Sequence, residues 1–314
     1  MRITTLWILA ALAATPVGAQ APQKLVVGDV SPLASSWPAL IAQEMGFFAD
    51  EKLAVEFVYA GGTTAVIQQL VGGSLDLAST SFETAIRAID GGASIALVGS
   101  GMLLLPYSVM AAPSIHSAAD MKGKSVMLAY AQNANSVFWR RWLKENGANP
   151  ADIDEVFDGS TTNRYRALAA GSVQAALLLQ PFDIVATDAG YRKLVSLGAY
   201  APTFGFTAYA ARRGWLDEHG EAVRGFLKAH KRAVAFLYDT AHRDESVAIL
   251  VKETKIEPAI AAKNYELYLS TRPFNDSANI PAASVMGVIE VIRADLHDQS
   301  SGADKYVALK YLPD

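Results

Sequence analysis

Two short segments rich in glycine and hydroxyl side chains occupy equivalent places in a weak internal repeat. Gly61-Gly62-Thr63-Thr64 and Gly159-Ser160-Thr161-Thr162 are 98 residues apart, and each lies between a predicted strand and a predicted helix. The N-terminus of a helix presents unpaired N–H groups and a positive dipole end, which suit a polar or anionic molecule. Two such ends that face each other across a gap would form a binding site. A chance likeness between two strand–turn–helix units is the alternative.

The repeat predicts the same run of elements in both copies: strand, glycine turn, threonine-capped helix, glycine stop and apolar strand. Gly73-Ser74 and Gly171-Ser172 supply the two stops. After the first copy, Thr80 and Glu83 have the spacing of a capping box, so a further helix is predicted to begin there.

No pattern typical of a catalytic or metal centre is present. The chain has no cysteine, which excludes disulfides and thiolate chemistry. Its carboxylates are dispersed, and no G-x-S-x-G or glycine-rich nucleotide motif occurs. No metal-ligand spacing is found among the five histidines, His116, His219, His230, His242 and His297. We therefore predict a protein that is not an enzyme and that holds no metal and no cofactor.

Composition predicts a globular chain without a nucleic-acid role. The 314 residues are 51% hydrophobic and 18% charged, which is enough for two units with a large core. The net charge is −4, and no basic tract suited to phosphate neutralisation occurs.

The N-terminus predicts export. Arg2 precedes a short apolar run over residues 6–14, and small residues near Ala19 offer a cleavage position. This is the form of a signal peptide, which we assign to residues 1–21, and the run is short for a membrane-spanning helix. An uncleaved anchor is the alternative. We expect a monomer in the periplasm, without direct membrane insertion.

Predicted strands and helices alternate through residues 24–181 in two successive series, which is typical of parallel sheets covered by helices. Helices alone follow from Trp215 onward. We predict an α/β fold of two lobes joined by crossing segments near residues 101–112 and 201–210. Lobe 1 comprises residues 22–105 plus 206–314, which include a helical C-terminal extension, and lobe 2 comprises residues 106–205. Two lobes joined in this way can close by a hinge motion.

Several motifs in one order resemble a family. They are LVVGDV (residues 25–30), EMGFFADEKLAVE (44–56), QLVGGSLDLA (69–78), AADMKGKSV (118–126), ALAAGSVQAA (167–176) and QPFD (180–183). The chain resembles the periplasmic solute-binding proteins that serve importers of sulfonates, nitrate, taurine and thiamine-pyrimidine precursors. This resemblance implies a type II periplasmic binding fold, a small-molecule solute, and a permease with an ATPase as partners. It also implies that loops at the carboxyl ends of strands contact the ligand.

The resemblance implies two walls for the site. The first wall comprises Ser36, Trp37, Gly62, Thr63, Thr64, Ser79, Thr80 and Ser81, and the second comprises Tyr107, Gln132, Asn133, Asn135, Gln180 and Asp183. Arg164 is a further candidate, which either reaches an anionic ligand or lies on a solvated helix face. Relatives often carry glutamate where this chain has Gln180, which disfavours an amino-substituted cationic ligand held by a carboxylate.

Each candidate has a structural alternative. The threonines and Asp183 can serve only as helix caps, the two asparagines as turn residues, and the two aromatic residues as core. We expect a receptor that closes over a small polar solute, and the sequence leaves sulfonate, nitrate-like anion, pyrimidine and aromatic carboxylate open. An exported enzyme on the same fold and a ligand-presenting partner of a sensor are the alternative functions.

Overall fold

The computed structural model describes residues 21–293 and 302–313. Residues 1–20 of the predicted signal peptide lie outside the described residues, as does the end of the last predicted helix. Ten strands are described: β1 Gln23–Asp29, β2 Leu53–Tyr59, β3 Leu77–Ser81, β4 Ile95–Ser100, β5 Tyr107–Ala111, β6 Ser125–Leu128, β7 Asp154–Phe157, β8 Ala175–Leu179, β9 Arg192–Ser196 and β10 Thr207–Arg212.

Twelve α-helices are described between and after these strands. They are α1 Trp37–Glu44, α2 Phe47–Asp50, α3 Thr63–Val71, α4 Phe82–Asp90, α5 Ala134–Glu145, α6 Thr161–Ala169, α7 Phe182–Asp188, α8 Leu197–Tyr200, α9 Arg213–Tyr238, α10 Arg243–Thr254, α11 Pro258–Thr271 and α12 Ala282–Ile292.

The strands form two five-stranded sheets with equivalent orders, β2-β1-β3-β10-β4 and β7-β6-β8-β5-β9. In each sheet the first three strands are parallel, and the fourth is antiparallel to both of its neighbours. That antiparallel strand enters from the other lobe, because β5 follows the first crossing segment and β10 follows the second. The predicted two-lobe α/β fold is confirmed.

The internal repeat of the sequence corresponds to a repeat of structural elements. Helices α3 and α6 begin and end 98 residues apart, and the same offset relates β3 to β8. The predicted threonine caps are wrong, however, because Gly62 and Ser160 are the N-cap residues and the threonines begin the helices. The predicted capping box is also wrong. Ser81 caps α4 by accepting a hydrogen bond from the Thr84 N–H, and the Glu83 carboxylate accepts from Arg87 and from the Ala134 N–H instead.

The two crossing segments, residues 101–106 and 197–206, meet at the start of β10. The Gly101 N–H donates to the Thr207 carbonyl at 2.9 Å, and the Thr207 N–H donates to the Met102 carbonyl at 2.8 Å. Gly101 packs so closely that a Cβ there would lie 2.5 Å from the Thr207 hydroxyl oxygen. The crossings are therefore one hydrogen-bonded connection between the lobes.

Helices of the C-terminal region pack against both lobes. Helices α9 and α10 lie against α1 on lobe 1, whereas α11 also contacts α7 and α12 contacts both α4 and α5. One apolar core accordingly runs from Phe82 in lobe 1 through Phe204 to Phe138 in lobe 2. No helix within the described residues combines the length and apolar character needed to cross a membrane.

Candidate ligand-binding site

The carboxyl ends of the parallel strands in the two sheets face each other. Glu83, in the first turn of α4 after β3, accepts a hydrogen bond at 3.3 Å from the N–H of Ala134, the first residue of α5. The ring of Tyr107 at the start of β5 contacts that of Phe206 just before β10, with centroids 5.8 Å apart. We call the region between these two edges the interlobe site. Open α/β sheets bind ligands at such edges.

Asp29 ends β1 at this edge and is a functional candidate that sequence reasoning missed. Its carboxylate accepts hydrogen bonds from the Ser36 hydroxyl at 2.7 Å and from the Val30 N–H at 2.6 Å. The side chain is buried, and burial raises the pKa of Asp29 to about 6 against the opposing hydrogen bonds from Ser36, Val30 and Ser79. A charged residue at the end of a buried strand was the sequence signal that could have identified Asp29 as a functional candidate.

Further polar side chains lie deeper in lobe 1, on β3, β10 and α9. Ser79 on β3 is paired in register with Tyr209 on β10, whose hydroxyl shares a hydrogen bond with the Nδ1 of His230 at 3.1 Å. Burial raises the pKa of Tyr209 and lowers that of His230 to about 4, so this histidine is neutral at physiological pH.

The structure places Trp37 in the core and corrects its assignment as a ligand contact. Its side chain is fully buried, and the indole N–H donates to the Ser246 carbonyl at 3.0 Å. The rings of Tyr265 and Tyr268 on α11 pack against it, with centroids 6.2 and 5.9 Å away. Because both its ring and its donor are used by lobe 1, Trp37 has no surface left for a solute.

The threonines of the first repeat divide into different roles. The Thr63 hydroxyl shares a hydrogen bond with Thr84 at 2.9 Å, and the Thr84 hydroxyl bonds Ser81 at 2.7 Å. Thr64 is exposed, and Gly62 begins α3 without a side-chain cap. The hydroxyl pairs tie α3 to α4, so they position this edge of lobe 1.

One carboxylate oxygen of Asp183 is buried without a hydrogen-bond partner, and three further predicted site residues keep buried polar atoms that have no protein partner in the described structure. They are the Thr80 hydroxyl at the end of β3, the side-chain oxygen of Asn135 in the first turn of α5, and the side-chain oxygen of Gln180 after β8. Buried polar groups normally have a hydrogen-bond partner. These three atoms are therefore available to a solute or to water.

Asn133 and Gln132 differ in their contacts and in their exposure to solvent. Asn133 caps α5, because its side-chain oxygen accepts from the Ser136 N–H at 3.1 Å, whereas Gln132 is exposed. Asn133 was predicted as a ligand contact, and its side-chain oxygen is used by the cap.

The Arg164 side chain is buried, which excludes the solvated-face alternative. It donates to the carbonyls of Leu177 and Asp158 and to the Thr161 hydroxyl, at 2.5, 2.6 and 2.6 Å. Burial lowers the pKa of its guanidinium, although an arginine stays protonated in proteins. Three of its five N–H groups thus donate to lobe 2 itself.

Asp183 is fully buried and does not cap its helix, since Pro181 is the N-cap of α7. Its carboxylate accepts from the Ser108 hydroxyl at 2.9 Å and pairs with Lys193 at 3.0 Å. Burial also raises the pKa of Tyr107, although the nearby positive charge of Arg164 partly opposes that rise.

The described residues include no group of three or more histidine, aspartate or glutamate side chains that could hold a metal ion. A groove of about 500 Å³ lies beside the amino end of β1, lined in part by Lys24, Gln43 and Glu56, and no predicted site residue borders it.

Comparison with known proteins gives the family context. The sequence model described as NMT1/THI5 like matches residues 34–243. The protein YtlA of Bacillus subtilis (strain 168) is 22% identical over 251 residues, which cover 78% of this chain and 75% of YtlA.

Two solved structures share the fold. The periplasmic aliphatic sulphonate binding protein SsuA from Escherichia coli superposes with a TM-score of 0.74 at 21% identity, covering 91% of this chain and 92% of SsuA. The ligand-binding component of an ABC-type import system from Staphylococcus aureus, solved with zinc bound, gives 0.75 at 15% identity, with coverages of 92% and 97%. The fold is therefore that of periplasmic solute-binding proteins.

Proposed function

Because the chain belongs to the NMT1/THI5-like family, we propose that it is the solute-binding component of an ATP-driven importer and captures a small polar solute between its lobes. The proposal includes the lobe boundaries and the signal peptide given above, export to the periplasm, and delivery of the solute to a permease with its ATPase. The names of the two structural neighbours support this role by likeness of fold.

The observation that carries the proposal is the pair of facing edges with uncommitted polar atoms. Thr80 belongs to lobe 1 and Asn135 and Gln180 belong to lobe 2, and each keeps a buried oxygen with no protein partner. A solute that bonds to both sets favours the closed arrangement over the open one, and this differential binding is what drives closure. The contact between Tyr107 and Phe206 supplies an apolar part of the same region.

A thermal-shift screen tests the proposal. The screen covers four solute classes: sulfonates, nitrate-like anions, pyrimidines and aromatic carboxylates, each with its amino derivatives. We expect at least one class to raise the melting temperature, because binding to the native state alone stabilises it. Small-angle scattering should then show compaction with the bound solute. The solute should be recovered chemically unchanged after prolonged incubation. A screen without any stabilising solute would contradict the binding role, and conversion of the solute would favour the enzyme alternative.

A further inference from the structure

We propose that the solute carries a protonated amine or amidine group and that the Asp29 carboxylate receives it. This inference rests on the proposed function and names the chemical class of the ligand. It follows from three observations at the interlobe site: an acid without a cationic partner, unpartnered acceptor atoms, and two anion-binding groups that the protein itself engages.

Asp29 is a buried acid whose charge is not neutralised by the protein. Only 6% of the residue is exposed, yet no lysine, arginine or histidine within residues 21–293 and 302–313 pairs with it. Its partners are the Ser36 hydroxyl and the Val30 N–H, which are neutral donors. A buried charge is costly unless it is paired, so a cationic ligand group would relieve the cost at this position.

The surrounding edge offers acceptors. The side-chain oxygens of Asn135 and Gln180 are buried without a donor, and the Thr80 hydroxyl can accept as well as donate. An ammonium or amidinium group has only donors, several of them, and therefore complements such a lining.

Two features that would receive an anion, namely Arg164 and the N-terminus of α5, are already engaged by the protein. The three guanidinium nitrogens of Arg164 donate to groups of lobe 2. At the N-terminus of α5, the Ala134 N–H donates to Glu83, so a protein carboxylate from lobe 1 occupies the position at which a ligand anion would bind. A carboxylate there repels a second negative charge.

The test compares Asp29→Asn with a matched control. Asp76 immediately precedes β3, at the opposite end of that strand from Ser81, and its carboxylate accepts from the Val26 N–H in the middle of β1 at 2.8 Å. Asp76→Asn therefore removes an equivalent charge away from the interlobe site. Wild type and both variants are screened by thermal shift against matched triples of small solutes with alkyl, phenyl and pyrimidine skeletons, each bearing an amine or amidine, a hydroxyl, or a carboxylate or sulfonate.

We expect only amine or amidine members to raise the melting temperature of the wild type. Titration calorimetry with the best of them should show at least a tenfold loss of affinity in Asp29→Asn and less than a twofold change in Asp76→Asn. Stabilisation by the anionic members, or an Asp29→Asn variant that binds the amine as tightly as wild type, would overturn the inference while leaving the receptor function intact. Failure of every triple would count against the receptor function itself. If Asp29→Asn does not fold, the selectivity of the wild type among the triples still decides.

Discussion

Glu83→Gln tests whether a carboxylate from lobe 1 holds the two lobes together. One oxygen of Glu83 pairs with Arg87 at 3.1 Å, and the other accepts from the Ala134 N–H at 3.3 Å. The side chain of Glu83 is 17% exposed, so its interaction with the positive end of α5 is only partly screened by solvent. Glutamine preserves the length and an acceptor oxygen but removes the charge, and the bond across the lobes can exist only when they are close.

The expected magnitude follows from the helix dipole. A carboxylate at a helix N-terminus contributes about 0.3–1 kcal/mol when exposed and up to ~2 kcal/mol when partly buried. The separation is long and Arg87 shares the charge of Glu83, so we take about 1 kcal/mol, which is roughly a fivefold change in the closure equilibrium. Apparent affinity scales with the population of the binding-competent state, so Kd should rise about fivefold where the closed state is the minor one.

Titration calorimetry with a solute identified by thermal shift measures this change. Where the closed state is instead the major one, small-angle scattering of the free protein should show a larger radius for the variant. Glu266→Gln is the control, because Glu266 pairs with Arg243 at 2.9 Å entirely within lobe 1. We expect the control to alter Kd less than twofold. Equal affinity and identical scattering for Glu83→Gln and wild type would refute the reasoning.

Four further outcomes are expected. Trp37→Ala should lower the free energy of unfolding by about 3–5 kcal/mol in urea titrations, because this side chain is core; lost affinity at unchanged stability would restore a ligand role. Gly101→Ala should lower the free energy of unfolding by about 1–3 kcal/mol in the same assay. Gly214→Ala should not lower it, because a Cβ at Gly214 would have no atom within 4 Å, and equal effects of the two substitutions would contradict the close packing of the crossing segments. His230 has a folded pKa of about 4, below its unfolded value, so it binds fewer protons when folded and its contribution to stability is lost as pH falls from about 6.5 to 4. Asp29, whose folded pKa is raised to about 6, gains stability over part of the same range, so the test is the difference between two proteins. Between the two ends of the range, the wild type should lose about 3 kcal/mol more of its free energy of unfolding than His230→Gln does. Lys263→Gln should change the stability by less than about 1 kcal/mol, because its ion pair with lobe 2 is half exposed; a larger loss on denaturation would show that this pair carries the lobe contact.

Local patterns predicted the elements of the repeat well and their caps poorly. Strand and helix boundaries depend on the alternation of apolar residues and on glycine stops, and both copies preserve these, so α3 and α6 keep the offset seen in the sequence. A cap depends on which of several adjacent hydroxyls has extended backbone geometry. In α4 that residue is Ser81 and not Thr80, a difference of one position that spacing alone does not resolve.

The candidate site shows the same division. Thr80, Asn135 and Gln180 were predicted from the family resemblance, and the structure leaves a polar atom of each without a partner. Trp37 was placed in the same group because it follows the first strand, but its ring faces α11, a helix more than 200 residues away along the chain. An aromatic residue serves core and ligand equally well, so only its neighbours distinguish the two roles.

The order of strands, glycines and apolar segments along this chain was sufficient to predict two α/β lobes and their duplication, because these features depend on contacts close in sequence and on the fixed geometry of parallel sheets. The family resemblance added the edge at which we propose that a ligand binds. Only the tertiary structure decided which polar groups are still uncommitted at that edge. Arg164 is satisfied within lobe 2, Glu83 reaches the other lobe, and Asp29 stays buried without a cation. Whether a donor or an acceptor is available depends on the distance and burial of partners remote in sequence, and these quantities exist only once the chain has folded.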